Sequence, residues 1–239
     1  KEKDFLDTVF RKYKGFPSLS EIWKLMDDIW IEYGCDQNII DDKVFRFYNH
    51  PVWLLNGLFI QQDLESLENI KKISKFIIKN NPKKILDYGG GFGNLARYLG
   101  KNLPLSKIDI FDPHPSNLAL FYASKLKNVN YVENLTEKYD FIIATDVFEH
   151  LDNPIESLKN TLNNLETNGK YLIANCFEPV ILCHLPKLFH LNFSWDLIMK
   201  ELGFDTIRNV AHGKVFKKVR ISAVKKVEMI SNFSRKIYP

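Results

Sequence analysis

Three glycines at alternate positions, Gly89, Gly91 and Gly93, follow directly on the run Lys84 to Tyr88 that contains Asp87. Glycine turns where other residues clash and lets backbone amides come close to a ligand, so this spacing suits a nucleotide-like molecule at a strand-to-helix turn. A glycine loop on its own serves equally well as a tight turn, and context has to decide. Further on, Asp146-Val147-Phe148-Glu149-His150 puts two carboxylates and an imidazole within one short stretch. An imidazole near neutral pKa can take a proton from a hydroxyl or ammonium nucleophile, which makes His150 a candidate general base. Its alternative is a structural histidine hydrogen-bonded at a helix start. Asp146, His184 and His190 are further candidate bases. Cys176, Cys183, His184 and His190 are close in sequence, but their spacing matches no paired short-spaced ligand pattern, and no metal is expected.

These residues need a scaffold, and the sequence changes character near Asn80-Asn81-Pro82. Before it, everything looks helical. Ser18 and Glu21 form a capping-box pattern, and Ile22, Met26, Ile29 and Tyr33 recur at helical spacing with Trp23 and Trp30 alongside. The loop Tyr48-Asn49-His50-Pro51 leads into the apolar stretch from Val52 to Ile60. Asp63 then caps a helix carrying Leu64, Leu67, Ile70, Ile73 and Ile77 on one side. The aromatic residues Trp23, Trp30, Tyr33 and Trp53 suit a helical core or a lid over a ligand.

After Pro82, strand and helix patterns alternate, the signature of a parallel sheet covered on both faces. Strands are expected at 84–88, 107–111, 129–132, 139–145, 170–175, 204–210 and 215–224. The run 139–145 is almost wholly apolar, as a central strand should be. Helices are expected at 94–99 and 116–126, from the Asn153-Pro154 cap to about 165, and from a Ser194 cap to 203. Lys214, Lys217, Lys218, Arg220, Lys225 and Lys226 read as a solvated sheet edge that blocks strand addition.

A dinucleotide fingerprint would place glycine at the sixth position from Gly89, where this chain has Asn94. The run instead resembles the acidic-x-Gly-x-Gly-x-Gly motif of class I S-adenosylmethionine-dependent methyltransferases of the small-molecule type, with Asp87 as the acidic member. The resemblance extends over roughly residues 85–175 and includes the Glu-His pair at 149–150 with a proline shortly after. It implies an α/β, Rossmann-like, mostly parallel seven-stranded sheet with helices on both faces. Residues 82–239 would form that domain, and residues 1–81 a helical extension or lid. It further implies that S-adenosyl-L-methionine is the cofactor, with Gly89, Gly90 and Gly91 facing the methionyl portion and Asp87 fixing its amino group. Asp112, followed by Pro113, would hold the ribose. Asn134 and Leu135 would meet adenine, and Asp146 would face cofactor or acceptor. The implied reaction is methyl transfer to oxygen or nitrogen of a small molecule, a saccharide or other biosynthetic intermediate. The other reading kept open is a methyltransferase-like partner protein that holds the cofactor without turnover. Because the sulfonium already activates the methyl group, alignment of the acceptor can supply about 7 to 11 kcal/mol with little acid–base machinery.

Composition agrees. A chain of 239 residues with net charge +4 buries a full core, and its basic residues are spread instead of striped, so nucleic acid is not implied. No apolar run is long enough to cross a bilayer, and the first residues lack a signal-peptide core. A cytoplasmic protein with no membrane partner is expected, and a homo-oligomer is left open. Three cysteines are too few for a disulfide framework.

Overall fold

The computed structural model describes residues 1–219 and 224–238. Five helices come first: α1 (Glu2–Tyr13), α2 (Leu19–Glu32), α3 (Asp42–Tyr48), α4 (Val52–Ile60) and α5 (Leu64–Asn80). The Ser18/Glu21 capping box is formed, with the Ser18 amide donating to the Glu21 carboxylate at 2.8 Å. Ile22, Met26, Ile29 and Trp30 then pack with Val44, Phe47, Val52 and Leu55 into a helical core of their own.

The alternating part follows as β1 (Lys84–Tyr88), α6 (Asn94–Asn102), β2 (Lys107–Phe111), α7 (Asn117–Ala123), β3 (Val129–Tyr131), β4 (Tyr139–Thr145), α8 (Pro154–Leu162), β5 (Leu165–Ala174), α9 (Leu191–Glu201), β6 (Phe204–Val210), β7 (Gly213–Lys218) and α10 (Val224–Ile237). The seven strands form one sheet in the order β3-β2-β1-β4-β5-β7-β6. β1 to β5 pair in parallel, and β7 runs antiparallel to both its neighbours. β4 is central because its residues are buried on both sides: Ile142 and Ala144 enter one core, Phe141 and Ile143 the other. The order reverses between β1 and β4, and a doubly wound sheet opens its binding crevice at such a point.

Several expectations change in detail. α8 stops at Leu162, and β5 begins at Leu165 because Tyr139 pairs with Leu165 before a bulge resets the register to Phe141 and Lys170. Ser194 does not cap α9. It lies inside the helix, buried, with its hydroxyl donating to the His190 carbonyl at 3.4 Å. β7 ends at Lys218, and by Val224 the chain is helical, so the strand expected over 215–224 is shorter; residues 220–223 lie outside the described residues. The basic run is no sheet edge, since β6 occupies the edge position. Lys214 pairs with Asp196 and Lys226 with Glu201, whereas Arg220 lies outside the described residues and the Lys225 side chain is not described. Leu64, placed by periodicity on the buried face of α5, is 83 % exposed, because it is the first residue after the Asp63 cap and precedes the packed turns. Among the described residues no helix is long and apolar enough to cross a membrane.

Candidate functional site

A cavity of about 940 Å³ opens at the carboxyl ends of β1, β2 and β4. Its floor is the glycine loop and the strand ends, and its opposite wall is made by α3, α4 and the turn between them. The volume is near the top of the roughly 300–1,000 Å³ typical of small-molecule sites.

The loop geometry explains its glycines. Gly89 and Gly91 have φ of 69° and 51°, in the left-handed region that strains other residues. A Cβ on Gly89 would also lie 2.5 Å from Val147, in the turn after β4, so the loop is pressed against that turn. At Gly91 nothing lies within 4 Å, and its missing side chain leaves open space at the cavity. The Gly91 amide donates to Asp112 Oδ2 at 2.9 Å, and the His114 amide donates to the other oxygen at 2.8 Å. Asp112 thus ties β2 to the loop while its carboxylate still borders the cavity, with remaining lone pairs free to accept. Asp87 is buried beneath the loop. Burial pushes its carboxyl up to about 7, opposed by an amide donated from Ala96 in the first turn of α6 and assisted by the Asp112 charge. Tyr131, at the end of β3, donates its hydroxyl to the Gly91 carbonyl at 2.7 Å, a tertiary contact that no local pattern foreshadows.

The turn after β4 brings the second group of candidates. Asp146 has φ of 54°, a strained position for a non-glycine residue and one often found at functional sites. Its side chain remains 57 % exposed, into the cavity, with His212 Nε2 at 3.9 Å from Oδ2. Enclosure by the surrounding protein raises its carboxyl above the ordinary range, while His212 and His184 pull it down. Glu149 is fully buried. Its Oε1 accepts the Cys176 amide at 2.8 Å, Oε2 has no hydrogen-bond partner, and burial pushes the carboxyl up to about 8.

His150 lines the cavity, and its Nδ1 lies 3.1 Å from the Cys183 carbonyl. A carbonyl only accepts, so Nδ1 carries the proton and Nε2 keeps a lone pair. Burial, with His184 nearby, lowers its pKa to about 3, so the ring is neutral throughout the physiological range. His184 packs edge-on against it at 4.8 Å between ring centroids. Its Nδ1 faces the Glu178 carbonyl at 2.8 Å, and burial depresses its pKa too.

Other expected residues lie elsewhere. His190 is buried at the start of α9 with neither ring nitrogen hydrogen-bonded, its pKa lowered to about 4 by burial and Arg235, and it does not line the cavity. Asn134 is exposed and Leu135 packs against the sheet core, and neither is among the cavity residues. Pro113 is at the cavity, as are Asp87, Gly89, Gly90, Gly91 and Asp112.

Of the aromatic residues expected to suit a helical core or a lid, Trp53 stands in the cavity wall, beside Tyr48, to which no role was assigned. Trp53 and Tyr48 stack at 5.2 Å, and Tyr48 lies parallel to the His114 ring at 6.1 Å. Trp53 also meets His150 edge-on at 6.0 Å, so aromatic rings bridge the two sides of the cavity. Asn94 joins the wall to the loop: its side-chain amide donates to the Gly57 carbonyl of α4 at 2.7 Å, and its oxygen accepts from Gln61 and Arg97. Opposite Asn94, α4 can come this close because Gly57 has no side chain; a Cβ there would lie 2.4 Å from Phe92.

A sequence model of a methyltransferase domain family matches residues 60–218. The malonyl-[acyl-carrier protein] O-methyltransferase of Halalkalibacterium halodurans is 31% identical over 137 residues, 52% of this chain and 48% of the relative. The chain therefore spans about half the length of the curated relative it matches. Among solved structures, an O-methyltransferase family protein from Burkholderia thailandensis aligns with a TM-score of 0.60 at 14% identity, covering 85% of this chain and 71% of that one. Human N-acetylserotonin methyltransferase in complex with S-adenosylmethionine gives a TM-score of 0.55 at 17% identity, covering 84% and 67%. At these identities the structural likeness is one of fold.

Proposed function

The chain belongs to the methyltransferase domain family, matched over residues 60–218, and from that premise we propose that it transfers a methyl group from S-adenosyl-L-methionine to oxygen or nitrogen of a small molecule. The observation that carries this reading is a cavity of about 940 Å³ shared between the glycine loop and the aromatic wall, which we assign to cofactor and acceptor together. Residues 82–239 serve as the catalytic domain and residues 1–81 as the roof that closes the acceptor side.

The cofactor lies along the loop. Gly89, Gly90 and Gly91 admit the methionyl portion, and Asp87, beneath the loop, holds the amino group by charge. Asp112 accepts from the ribose hydroxyls with the lone pairs that the Gly91 and His114 amides leave free. Pro113 flanks it. Asn134 and Leu135 reach adenine only if the loop after β3 folds inward, since neither lines the cavity.

The acceptor takes the aromatic side. Trp53 and Tyr48 offer flat apolar faces to a ring, whether of a saccharide or of another biosynthetic intermediate. Asp146 and His150 are the polar groups beside the transfer position. A histidine of pKa about 3 is the neutral imidazole, with its proton on Nδ1 and a lone pair on Nε2. Its role is to accept a hydrogen bond from the acceptor and orient the nucleophile's remaining lone pair toward the methyl group. Alignment opposite the sulfonium supplies the larger part of the rate. His184 supports His150 from behind, and His190 is a packing residue of α9.

The test is conversion of S-adenosylmethionine to S-adenosylhomocysteine with a panel of saccharides, hydroxylated aromatic acids, amines and malonyl-acyl carrier protein. Turnover on one class supports the proposal. Cofactor binding with no turnover on any class would leave a non-catalytic partner protein.

A further inference from the structure

Glu149, His150 and His184 each present one ligand-type atom, and these atoms all lie within 4.8 Å of one another. Their hydrogen bonds fix which atoms are free. His150 Nδ1 and His184 Nδ1 both face backbone carbonyls, of Cys183 and Glu178, so both rings carry the proton there and turn a lone pair on Nε2 the other way. Glu149 Oε1 takes the Cys176 amide, which leaves Oε2, fully buried, with no partner. Each of the three side chains thus keeps one acceptor atom without a donor from the other two, Nε2 of either ring and Oε2 of the carboxylate. A single proton can serve one pair of them; a cation serves all three.

We propose that Glu149, His150 and His184 form a binding site for one divalent first-row transition ion of the zinc or iron(II) type. Two imidazoles and one carboxylate are the donor set such ions take when they keep open positions for an exogenous ligand. The backbone carbonyls behind both rings are the outer partners that orient metal-binding histidines. Ligands about 2.1 Å from one ion lie roughly 3.0 to 3.5 Å apart, so the present spacing of up to 4.8 Å closes by small side-chain rotations. The cluster borders the cavity through His150, on the acceptor side, and Asp146 lies at the same turn. An ion there would place its open positions toward an acceptor oxygen, and His150 would then reach the acceptor through the ion.

The Cys/His run at 176–190 lacks the paired short spacing of a zinc site. Only His184 of that run belongs to the cluster. The other two donors come from the turn after β4, more than thirty residues earlier in the chain, a separation that no local spacing rule detects.

The inference does not rest on methyl transfer and is tested without it. Protein stripped with a chelator and dialysed is titrated with Zn²⁺ against a chromogenic chelator, and the zinc-loaded protein is examined by X-ray absorption. The expected result is one equivalent per chain, with two imidazoles and oxygen in the ligand shell and no sulfur. Glu149→Gln and His184→Ala should each weaken binding by at least the roughly 10- to 100-fold that loss of even an outer-shell partner costs. Cys176→Ser should bind as the unaltered chain does. Less than stoichiometric binding, a thiolate in the shell, or affinity in Glu149→Gln or His184→Ala unchanged from that of the unaltered chain would overturn the site. The ligand-shell measurement uses the unaltered chain and decides the matter even if a variant unfolds. S-adenosylhomocysteine binding measured on the same protein shows separately whether the cofactor reading stands.

Discussion

The two sides of the cavity are built by different means. On the sheet side, backbone conformation and carboxylates do the positioning: Gly89 and Gly91 at positive φ, Asp112 holding the Gly91 amide, Asp87 beneath the loop. On the helical side, aromatic rings from α3 and α4 make the wall, and the polar contacts among them are few. Backbone geometry suits a constant ligand and aromatic surface suits a variable one. The sheet side is therefore assigned to the cofactor and the helical side to the acceptor, and substitutions on either side should separate the two.

The largest effect is expected at Gly89. Alanine there combines a left-handed φ with a Cβ 2.5 Å from Val147, which should cost about 2–5 kcal/mol of stability and abolish measurable cofactor binding. Thermal melting and calorimetry check both; an unchanged cofactor affinity would break the division. Asp112→Asn comes next. It keeps the side chain's shape but removes the charge that holds the loop amide and that we propose meets the ribose. The expected loss is about 1.5–3 kcal/mol of cofactor binding, or roughly 10- to 150-fold in affinity, with acceptor KM little altered.

The third test is pH. Asp87 sits at about 7 in the free chain, and an ammonium beside it favours the ionised form. Binding below that pH has to expel a proton, so cofactor affinity should fall by up to about tenfold per pH unit as pH drops from 7 toward 5.5. The stability effect runs in the opposite direction. A carboxyl raised on folding contributes stability below its unfolded pKa of about 4, and that contribution is lost as pH rises toward 7. Melts of the unliganded chain across this window check the sign. A flat affinity profile would remove Asp87 from the cofactor site.

The smallest effect belongs to the aromatic wall. Trp53→Ala should raise acceptor KM by up to about tenfold, the worth of one aromatic stacking contact, and leave cofactor affinity within about twofold. A larger effect on the cofactor than on the acceptor would exchange the roles of the two sides.

The same contrast decided what the sequence could reveal. β1, β2 and β4 are short apolar runs bounded by turn residues, and β4 carries two buried faces, so the parallel sheet and its glycine loop were legible from local pattern. The start of β5 was not, because a bulge between Tyr139 and Phe141 pairs Leu165 before the regular register begins. Ser194 has the chemistry of a cap, but the chain is already helical three residues earlier, and its hydroxyl turns back to the His190 carbonyl. Asn94 was legible only as a departure from a dinucleotide fingerprint. Its positive function, gripping the Gly57 carbonyl of a helix that precedes the sheet, depends on a tertiary contact. A helical lid carrying Trp53 was legible from the aromatic pattern, whereas the grouping of Glu149 and His150 with His184 depends on a tertiary contact between segments distant in the chain.

The most direct test is a crystal structure of the protein with S-adenosylhomocysteine. The expected result is the ligand along Gly89 to Gly91, its ribose hydroxyls on Asp112, its sulfur toward Asp146 and His150, and the space beside Trp53 and Tyr48 left for an acceptor. A ligand seated against the aromatic wall, or a glycine loop left empty at saturating ligand, would contradict the assignment of the two sides.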